Sequence, residues 1–348
     1  MSAPIKDSDK GHWVNRSPLY VRPYLQLSRL DRPVGYWLLT LPGWIGLAFA
    51  ALSQGFAVSD IKWAVLILIG AIVTRGAGCT YNDIVDKDLD KQVERTALRP
   101  LPAGTVATKQ AWIWVFAQCA VGFIVLLCLP RLAQIISLCS IPLVAAYPFM
   151  KRITWWPQVW LGMTFNWAVL VAYAAKTGTV ILPLLILYAG LIFWTVGYDT
   201  IYACQDIEDD MKIGVKSTAR RFGKHLIPAV TACYIIFIAL SFTAIGLERI
   251  ASANPGIQGS FLIRFSRTQL VVPTLILFVP ITFLLFRQPL KIKHNQETAL
   301  RMFKSNFWVA IFFITLLIIL RFLWILNCLL YTSPSPRDQR GSRMPSSA

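Results

Sequence analysis

The chain has 348 residues, of which 56% are hydrophobic and only 15% are charged, and its mean hydropathy is +0.56. Soluble globular domains carry about 25% charged residues, so this composition excludes an ordinary soluble domain and indicates an integral membrane protein. The formal net charge is +17, but the Lys and Arg residues are scattered between apolar runs, which argues against nucleic-acid binding. Such charge favours contact with the anionic headgroups of a lipid bilayer and with anionic substrates.

Nine apolar runs follow one another along the chain. The length of each run is close to that of a helix that crosses about 30 Å of hydrocarbon, which takes about 20 residues. They therefore predict an all-α integral membrane protein in which nine transmembrane helices form one bundle. The runs are 34–53, 61–81, 110–129, 132–150, 156–176, 180–204, 226–247, 270–286 and 307–329.

Three segments are predicted. Residues 1–33 form an N-terminal cytosolic or matrix segment that ends in an interfacial helix, residues 34–329 form the membrane domain, and residues 330–348, rich in Pro and Ser, are interpreted as a disordered, non-native tail. Most of the 34 Lys and Arg residues lie before the first run or in the loops after the even-numbered runs, so the positive-inside rule places that face in the cytoplasm or matrix. The N-terminus does not resemble an acid-poor transit peptide, which favours a bacterial plasma membrane over the mitochondrial inner membrane.

The loop after the second run carries a row of polar side chains. Asn82, Asp86 and Asp90 follow one another at four-residue spacing, which stacks them on one face if the helix continues. Asp83 lies beside this face, and Arg75 lies two turns earlier on it. A charge within a span is costly and usually faces a cavity, so Arg75 is predicted either to hold a substrate carboxylate or to pair with Asp83 or Asp90.

The end of the sixth run and the loop after it carry a second row, formed by Asp199, Asp206 and Asp210. Two rows of carboxylates on one face repel each other, and a hard divalent cation relieves this repulsion. Mg²⁺ prefers a few carboxylates together with phosphate oxygens, so the rows predict a diphosphate bridged to the protein by Mg²⁺, which also stabilises charge on the departing oxygens. Cations on the same face that can contact this diphosphate include Lys151, Arg152 and Lys212.

These motifs resemble those of a known family. The pattern Asn82-Asp83-x-x-Asp86-x-x-x-Asp90 resembles the first signature of the UbiA superfamily of intramembrane prenyltransferases, and Asp206-x-x-x-Asp210 resembles the second. Within that superfamily, the 4-hydroxybenzoate polyprenyltransferases of ubiquinone synthesis are the group most similar in the strings Tyr147-Pro-Phe-Met-Lys151-Arg152 and Tyr198-Asp199-Thr-Ile-Tyr202-Ala.

The resemblance implies a fold, a reaction and a set of residues. The helices would surround a central cavity whose mouth is capped by both Asp-containing loops, and a polyprenyl group would pass from polyprenyl diphosphate to the ring carbon next to the hydroxyl of 4-hydroxybenzoate. Mg²⁺ would be the cofactor, and other enzymes of ubiquinone biosynthesis would be partners. The implied metal ligands are Asn82, Asp86, Asp90, Asp206 and Asp210, and the expected substrate-binding residues are Arg75, Asn82, Asp83, Lys151, Arg152, Tyr202 and Lys212.

Removal of the ring proton requires a base, for which Asp199 is the candidate. Ring faces within about 6 Å can stabilise an allylic cation, and the candidates are Tyr147, Phe165, Trp167 and Tyr198. Two alternatives stay open: another aromatic acceptor, such as dihydroxynaphthoate or homogentisate, and a cation transporter or channel. A transporter is expected to place carboxylates near mid-membrane, whereas both rows here lie at the ends of runs.

Overall fold

The computed structural model describes residues 11–91, 96–207, 211, 214–252, 260–291 and 296–332, with side chains for all of these except 206, 250–252, 260–270, 296 and 327–332. Within these ranges the chain forms α-helices and short 3-10 helices, and no β-strand is present. The helices are α1 (Arg22–Leu27), α2 (Pro33–Gln54), α3 (Ser59–Val85), α4 (Lys87–Asp90), α5 (Thr108–Leu127), α6 (Arg131–Cys139), α7 (Ile141–Ile153), α8 (Pro157–Thr177), α9 (Leu182–Ala203), α10 (Thr218–Phe222), α11 (Leu226–Ser252), α12 (Ser260–Leu290) and α13 (Gln296–Thr332).

Eight helical segments of the described chain are long and apolar enough to cross a membrane. The all-helical, multi-pass membrane architecture predicted from the sequence is therefore confirmed. The eight segments are Pro33–Gln54, Ser59–Val85, Thr108–Leu127, Arg131–Ile153, Leu182–Ala203, Thr218–Arg249, Val271–Leu290 and Glu297–Leu326.

The fifth predicted run forms α8, which has 21 residues but is not among these eight. Its Gln158, Asn166 and Lys176 lower its hydropathy. Asn166 is buried and its side-chain amide donates hydrogen bonds to the carbonyl oxygens of Gly162 in the same helix and Leu191 in α9. This polar group is therefore hydrogen-bonded inside the bundle. The count of nine spans stays a prediction.

The centre of the bundle is formed by α2, which packs against α3, α8 and α13. Its approach to α8 is close: a Cβ atom added to Gly46 would lie 2.5 Å from the carbonyl oxygen of Val169. Small residues permit such close packing between membrane helices. The other side of the core is formed by α9, which packs against α8, α11 and α13 and buries Trp194 and Tyr198.

The segment predicted to end in an interfacial helix forms α1 and packs against the bundle. Leu27 is buried with Leu101 and Val106, and the hydroxyl of Ser28 donates to Gln118 and accepts a hydrogen bond from the indole N–H of Trp114. Helix α2 begins at Pro33, and the division of the chain at residue 33 stays a prediction. At the other end α13 runs to Thr332, just inside the predicted tail, and residues 333–348 lie outside the described chain.

Candidate active site

A cavity of about 860 Å³ lies among α2, α3, α5, α7, α8, α9 and α13. Four predicted catalytic or substrate-binding residues line it together: Arg75, Asn82, Asp199 and Tyr202. The aromatic candidates Tyr147, Phe165, Trp167 and Tyr198 line it as well. Most of the remaining wall is aliphatic, so the cavity combines a small polar region with a larger apolar one.

The first polar row crosses a helix junction. Helix α3 ends at Val85, Asp86 caps it, and α4 begins at the next residue. The amide of Asp86 donates to the carbonyl oxygen of Asn82 over 2.9 Å, and that of Asp90 donates to the carbonyl oxygen of Asp86 over 2.8 Å. The hydrogen-bond pattern of an α-helix, from each amide to the carbonyl four residues earlier, therefore continues from Asn82 to Asp90 across the junction.

Asp86 is 1% exposed and is bound by two cations from the end of α7. The ammonium group of Lys151 donates to Oδ2 over 2.5 Å, and Nη2 of Arg152 donates to Oδ1 over 3.0 Å. The structure thus brings three predicted site residues together from two distant parts of the chain. None of these three lines the cavity described above.

A second, buried ion-pair network lies beside this one. Nη1 of Arg99 lies 2.9 Å from Oδ2 of Asp90 and 3.3 Å from Oδ1 of Asp83, and Nη2 of Arg29 lies 2.5 Å from the same Asp83 oxygen. Asp83 is completely buried, which favours a structural role over the predicted contact with substrate. The ion-pair partners of Asp83 and Asp90 are thus Arg29 and Arg99, and the alternative that paired them with Arg75 is wrong.

Arg29 is the residue that sequence reasoning missed. It is the one non-glycine residue in the described chain with a positive φ, 55°, a conformation that costs energy and persists only where its surroundings hold it. Burial lowers the pKa of its guanidinium, but nearby carboxylates, Asp83 foremost, raise it, and the net direction is upward. Arg29 therefore remains charged at physiological pH. One signal could have found it: Arg residues cluster before the first run, on the membrane face that carries the Asp rows.

Arg75 extends from α3 over the backbone of α2. A Cβ atom added to Gly35 would lie 1.8 Å from its Nη2 atom, and the guanidinium carbon lies 5.8 Å from the centre of the Phe165 ring. The Nε atom is buried and has no hydrogen-bond partner among the described residues. Arg75 also lines the cavity, and a cationic side chain at the wall of a membrane cavity is suited to an anionic ligand.

The second polar row is only partly described. Asp199 lies on α9 and lines the cavity, whereas Asp206 ends a 3-10 helix and its side chain is not described. Asp210 and Lys212 lie outside the described residues. Within the described chain no group of three His, Cys, Asp or Glu side chains is arranged to hold a metal ion, and the predicted site draws ligands from both rows, so it stays a prediction. The hard oxygen donors of Asn82, Asp86 and Asp90 are the kind that Mg²⁺ prefers.

Residues 39–309 match the UbiA prenyltransferase family. The mitochondrial 4-hydroxybenzoate polyprenyltransferase of Homo sapiens is 44% identical over 239 residues, which cover 67% of this chain and 62% of the relative. That of Arabidopsis thaliana is 43% identical over 231 residues, covering 64% and 56%. The chain thus spans less than two thirds of either relative. Both are named mitochondrial, so the predicted preference for a bacterial plasma membrane has no support.

Solved structures share the fold. The apo structure of a UbiA homologue from Aeropyrum pernix K1 superposes with a TM-score of 0.63 at 24% identity and covers 82% of this chain and 98% of its own. A UbiA homologue from Archaeoglobus fulgidus bound to GPP and Mg²⁺ gives a TM-score of 0.58 at 19% identity, with coverage of 86% and 99%. Because the family match extends over most of the sequence and the helical fold agrees with it, the chain belongs to the UbiA prenyltransferase family.

Proposed function

We propose that this protein transfers a polyprenyl group from polyprenyl diphosphate to the ring carbon ortho to the hydroxyl of 4-hydroxybenzoate, in a reaction that depends on Mg²⁺. The observation that carries the proposal is that one cavity is lined by Arg75, Asn82, Asp199 and Tyr202 together with a mostly apolar wall. The names of the relatives at 43–46% identity support the choice of acceptor.

The apolar region of the cavity suits an isoprenoid chain. Its wall includes Leu126, Leu129, Ile141 and Val144, which offer no hydrogen bond and favour a hydrocarbon ligand. Its volume of about 860 Å³ lies within the range of about 300–1,000 Å³ that is usual for small-molecule sites.

The diphosphate is proposed to bind at the Asp rows. Asn82, Asp86 and Asp90, with Asp206 and Asp210, would hold Mg²⁺, which when bound stabilises negative charge on the leaving diphosphate. Lys151 and Arg152 neutralise Asp86 in the structure. In the loaded enzyme these cations would bind diphosphate oxygens, together with Lys212.

The aromatic acid is proposed to bind at Arg75, whose guanidinium would hold its carboxylate. The carbon–oxygen bond of the allylic diphosphate breaks, the ring carbon of the acceptor forms a bond to the allylic carbon, and the ring proton passes to Asp199. The faces of Tyr147, Phe165 and Tyr198 would stabilise positive charge on the allylic group, and Tyr202 would orient the acceptor.

We place this reaction in a mitochondrial membrane, with the Asp rows on the matrix side. The names of the relatives support the organelle, and the excess of Lys and Arg on the face of the Asp rows supports the orientation. Association with other enzymes of ubiquinone biosynthesis is part of this proposal, and co-purification from such a membrane tests it.

A prenylation assay tests the function. Membranes containing the full chain are incubated with geranyl diphosphate or a longer homologue and labelled 4-hydroxybenzoate, with Mg²⁺ or with EDTA. We expect a labelled, extractable product only with Mg²⁺. Homogentisate and dihydroxynaphthoate are run in parallel, and product from either of these alone reassigns the acceptor. Absence of product from every acceptor, with cation flux in proteoliposomes, supports the transport alternative instead.

The role of Arg75 has its own test. A Gly35→Ala substitution places a methyl group where the Arg75 guanidinium lies, so the guanidinium must move. Since hydrogen bonds to charged groups contribute about 1.5–3 kcal/mol, we expect KM for 4-hydroxybenzoate to rise about tenfold or more, with no change in KM for the prenyl diphosphate. The matched control is Gly246→Ala, at a helical glycine of α11 where a Cβ atom meets nothing within 4 Å. Equal effects of the two variants on both KM values would contradict this assignment.

A further inference from the structure

Gly78 is a glycine in the interior of α3 for which packing gives no reason. It lines the cavity, and a Cβ atom added to it would meet no atom within 4 Å. Glycine destabilises a helix interior relative to alanine, so an alanine here would be expected on stability alone. Gly76, two residues earlier, differs, because its Cβ would lie 1.9 Å from Oε1 of Gln118.

The neighbours of Gly78 define the space above it. Arg75 lies three residues before it and Asn82 four residues after it, so all three share one helix face, and all three line the cavity. Asn82 lies seven residues after Arg75, a distance of about 10 Å along the helix axis at 1.5 Å per residue. The space is therefore bounded by a cation at one end and by the polar row at the other.

Aromatic rings from three other helices line the same cavity. Tyr147 belongs to α7, Phe165 to α8 and Tyr198 to α9, and the guanidinium of Arg75 lies over the Phe165 ring. Gly78 lines the same cavity with backbone and no side chain, and the space where a Cβ atom would lie is open. A planar ring with a carboxylate directed toward Arg75 matches this shape and charge.

We propose that Gly78 is a specificity-determining residue, and that its missing side chain leaves the space in which the ring of the aromatic acceptor lies. This inference rests on the proposed prenyl transfer to an aromatic acid and adds the position of the acceptor. It follows that a side chain at residue 78 weakens acceptor binding, more so the larger it is, while leaving the binding of the prenyl diphosphate intact.

The test compares two helical glycines that both leave open space for a Cβ atom but differ in whether they line the cavity. Gly246 of α11 also leaves open space for a Cβ atom, but it does not line the cavity. The purified full chain is therefore made as wild type and with Gly78→Ala, Gly78→Leu, Gly246→Ala and Gly246→Leu. For each, kcat, both KM values, the thermal unfolding midpoint and the Kd of 4-hydroxybenzoate without prenyl diphosphate are measured.

One methylene group in a pocket changes discrimination by about 10–200-fold, so Gly78→Ala is expected to weaken acceptor binding about tenfold, and Gly78→Leu more. KM for the prenyl diphosphate is expected to stay within about twofold, as an interaction limited to the other substrate requires. Neither Gly78→Ala nor Gly246→Ala is expected to lower the unfolding midpoint, and neither Gly246 variant is expected to change the kinetics.

The outcomes separate this inference from the proposed function. If the wild type prenylates 4-hydroxybenzoate and the Gly78 variants keep its KM and Kd, the inference is overturned and the function stands. A rise in KM for the prenyl diphosphate alone also overturns it, since Gly78 would then face the isoprenoid. If the wild type neither binds nor prenylates any aromatic acid, both fail. Should Gly78→Leu not fold, the Gly78→Ala pair decides.

Discussion

Asp86→Asn is expected to lower the rate of prenyl transfer by about 100-fold or more, the usual cost of removing one electrostatic contact to the transition state. The amide has nearly the size of the carboxylate, so packing is retained. The charge is lost, however, and with it the proposed metal ligand and the partner of Lys151 and Arg152. The measurement is the initial rate at several Mg²⁺ concentrations, and the variant is expected to require more Mg²⁺ for half-maximal activity.

Asp88 provides the matched control in the same short helix, α4. Its side chain is 92% exposed and its carboxylate lies 3.6 Å from the ammonium group of Lys91, a surface pair of little energetic value. Asp88→Asn is therefore expected to retain the wild-type rate and the wild-type Mg²⁺ dependence. A similar loss in both variants would mean that general negative charge, and not a specific ligand, is required.

Arg29→Met is expected to destabilise the protein by about 3–5 kcal/mol, the usual cost of breaking a buried ion pair by removing one partner. The side chains of Arg29 and Asp83 are 8% and 0% exposed, so Asp83 would lose its shorter contact with no access to water. Arg99 also contacts Asp83, at 3.3 Å, which places the expected loss at the lower end of this range. The thermal unfolding midpoint in detergent measures the effect.

A double variant distinguishes charge from packing. Adding Asp83→Leu to Arg29→Met removes the buried carboxylate that has lost its shorter ion pair and leaves Arg99 paired with Asp90, so most of the lost stability should return. Arg301→Met is the control, since Arg301 pairs with Glu297 at a position where both side chains are more than 70% exposed and no shift is expected. If the double variant is as unstable as the single one, the side chains of Arg29 and Asp83 stabilise the fold by packing and not by their charges.

The positions of the membrane helices could be predicted from the sequence because they follow from a local property. A run of about 20 apolar residues satisfies its own backbone hydrogen bonds as a helix and needs no particular partner in hydrocarbon. The same holds for the spacing of Asn82, Asp86 and Asp90, which a helical repeat fixes wherever the helix packs. Even so, the fourth run divides into α6 and α7 at Ser140, two residues before Pro142, whose missing N–H and ring disfavour a continuous helix.

Only the tertiary structure decided which charges meet. Arg29 and Asp83 are 54 residues apart, and Lys151 and Asp86 are 65 apart, and no periodicity connects such positions. The same limit applies to Arg75, whose place over Gly35 depends on how α2 and α3 cross. The sequence by itself determined that acidic rows end two membrane helices. Which carboxylates are buried by arginines and which residues face the cavity depended on packing between distant helices, because ion pairing requires contact in space and not neighbourhood in the chain.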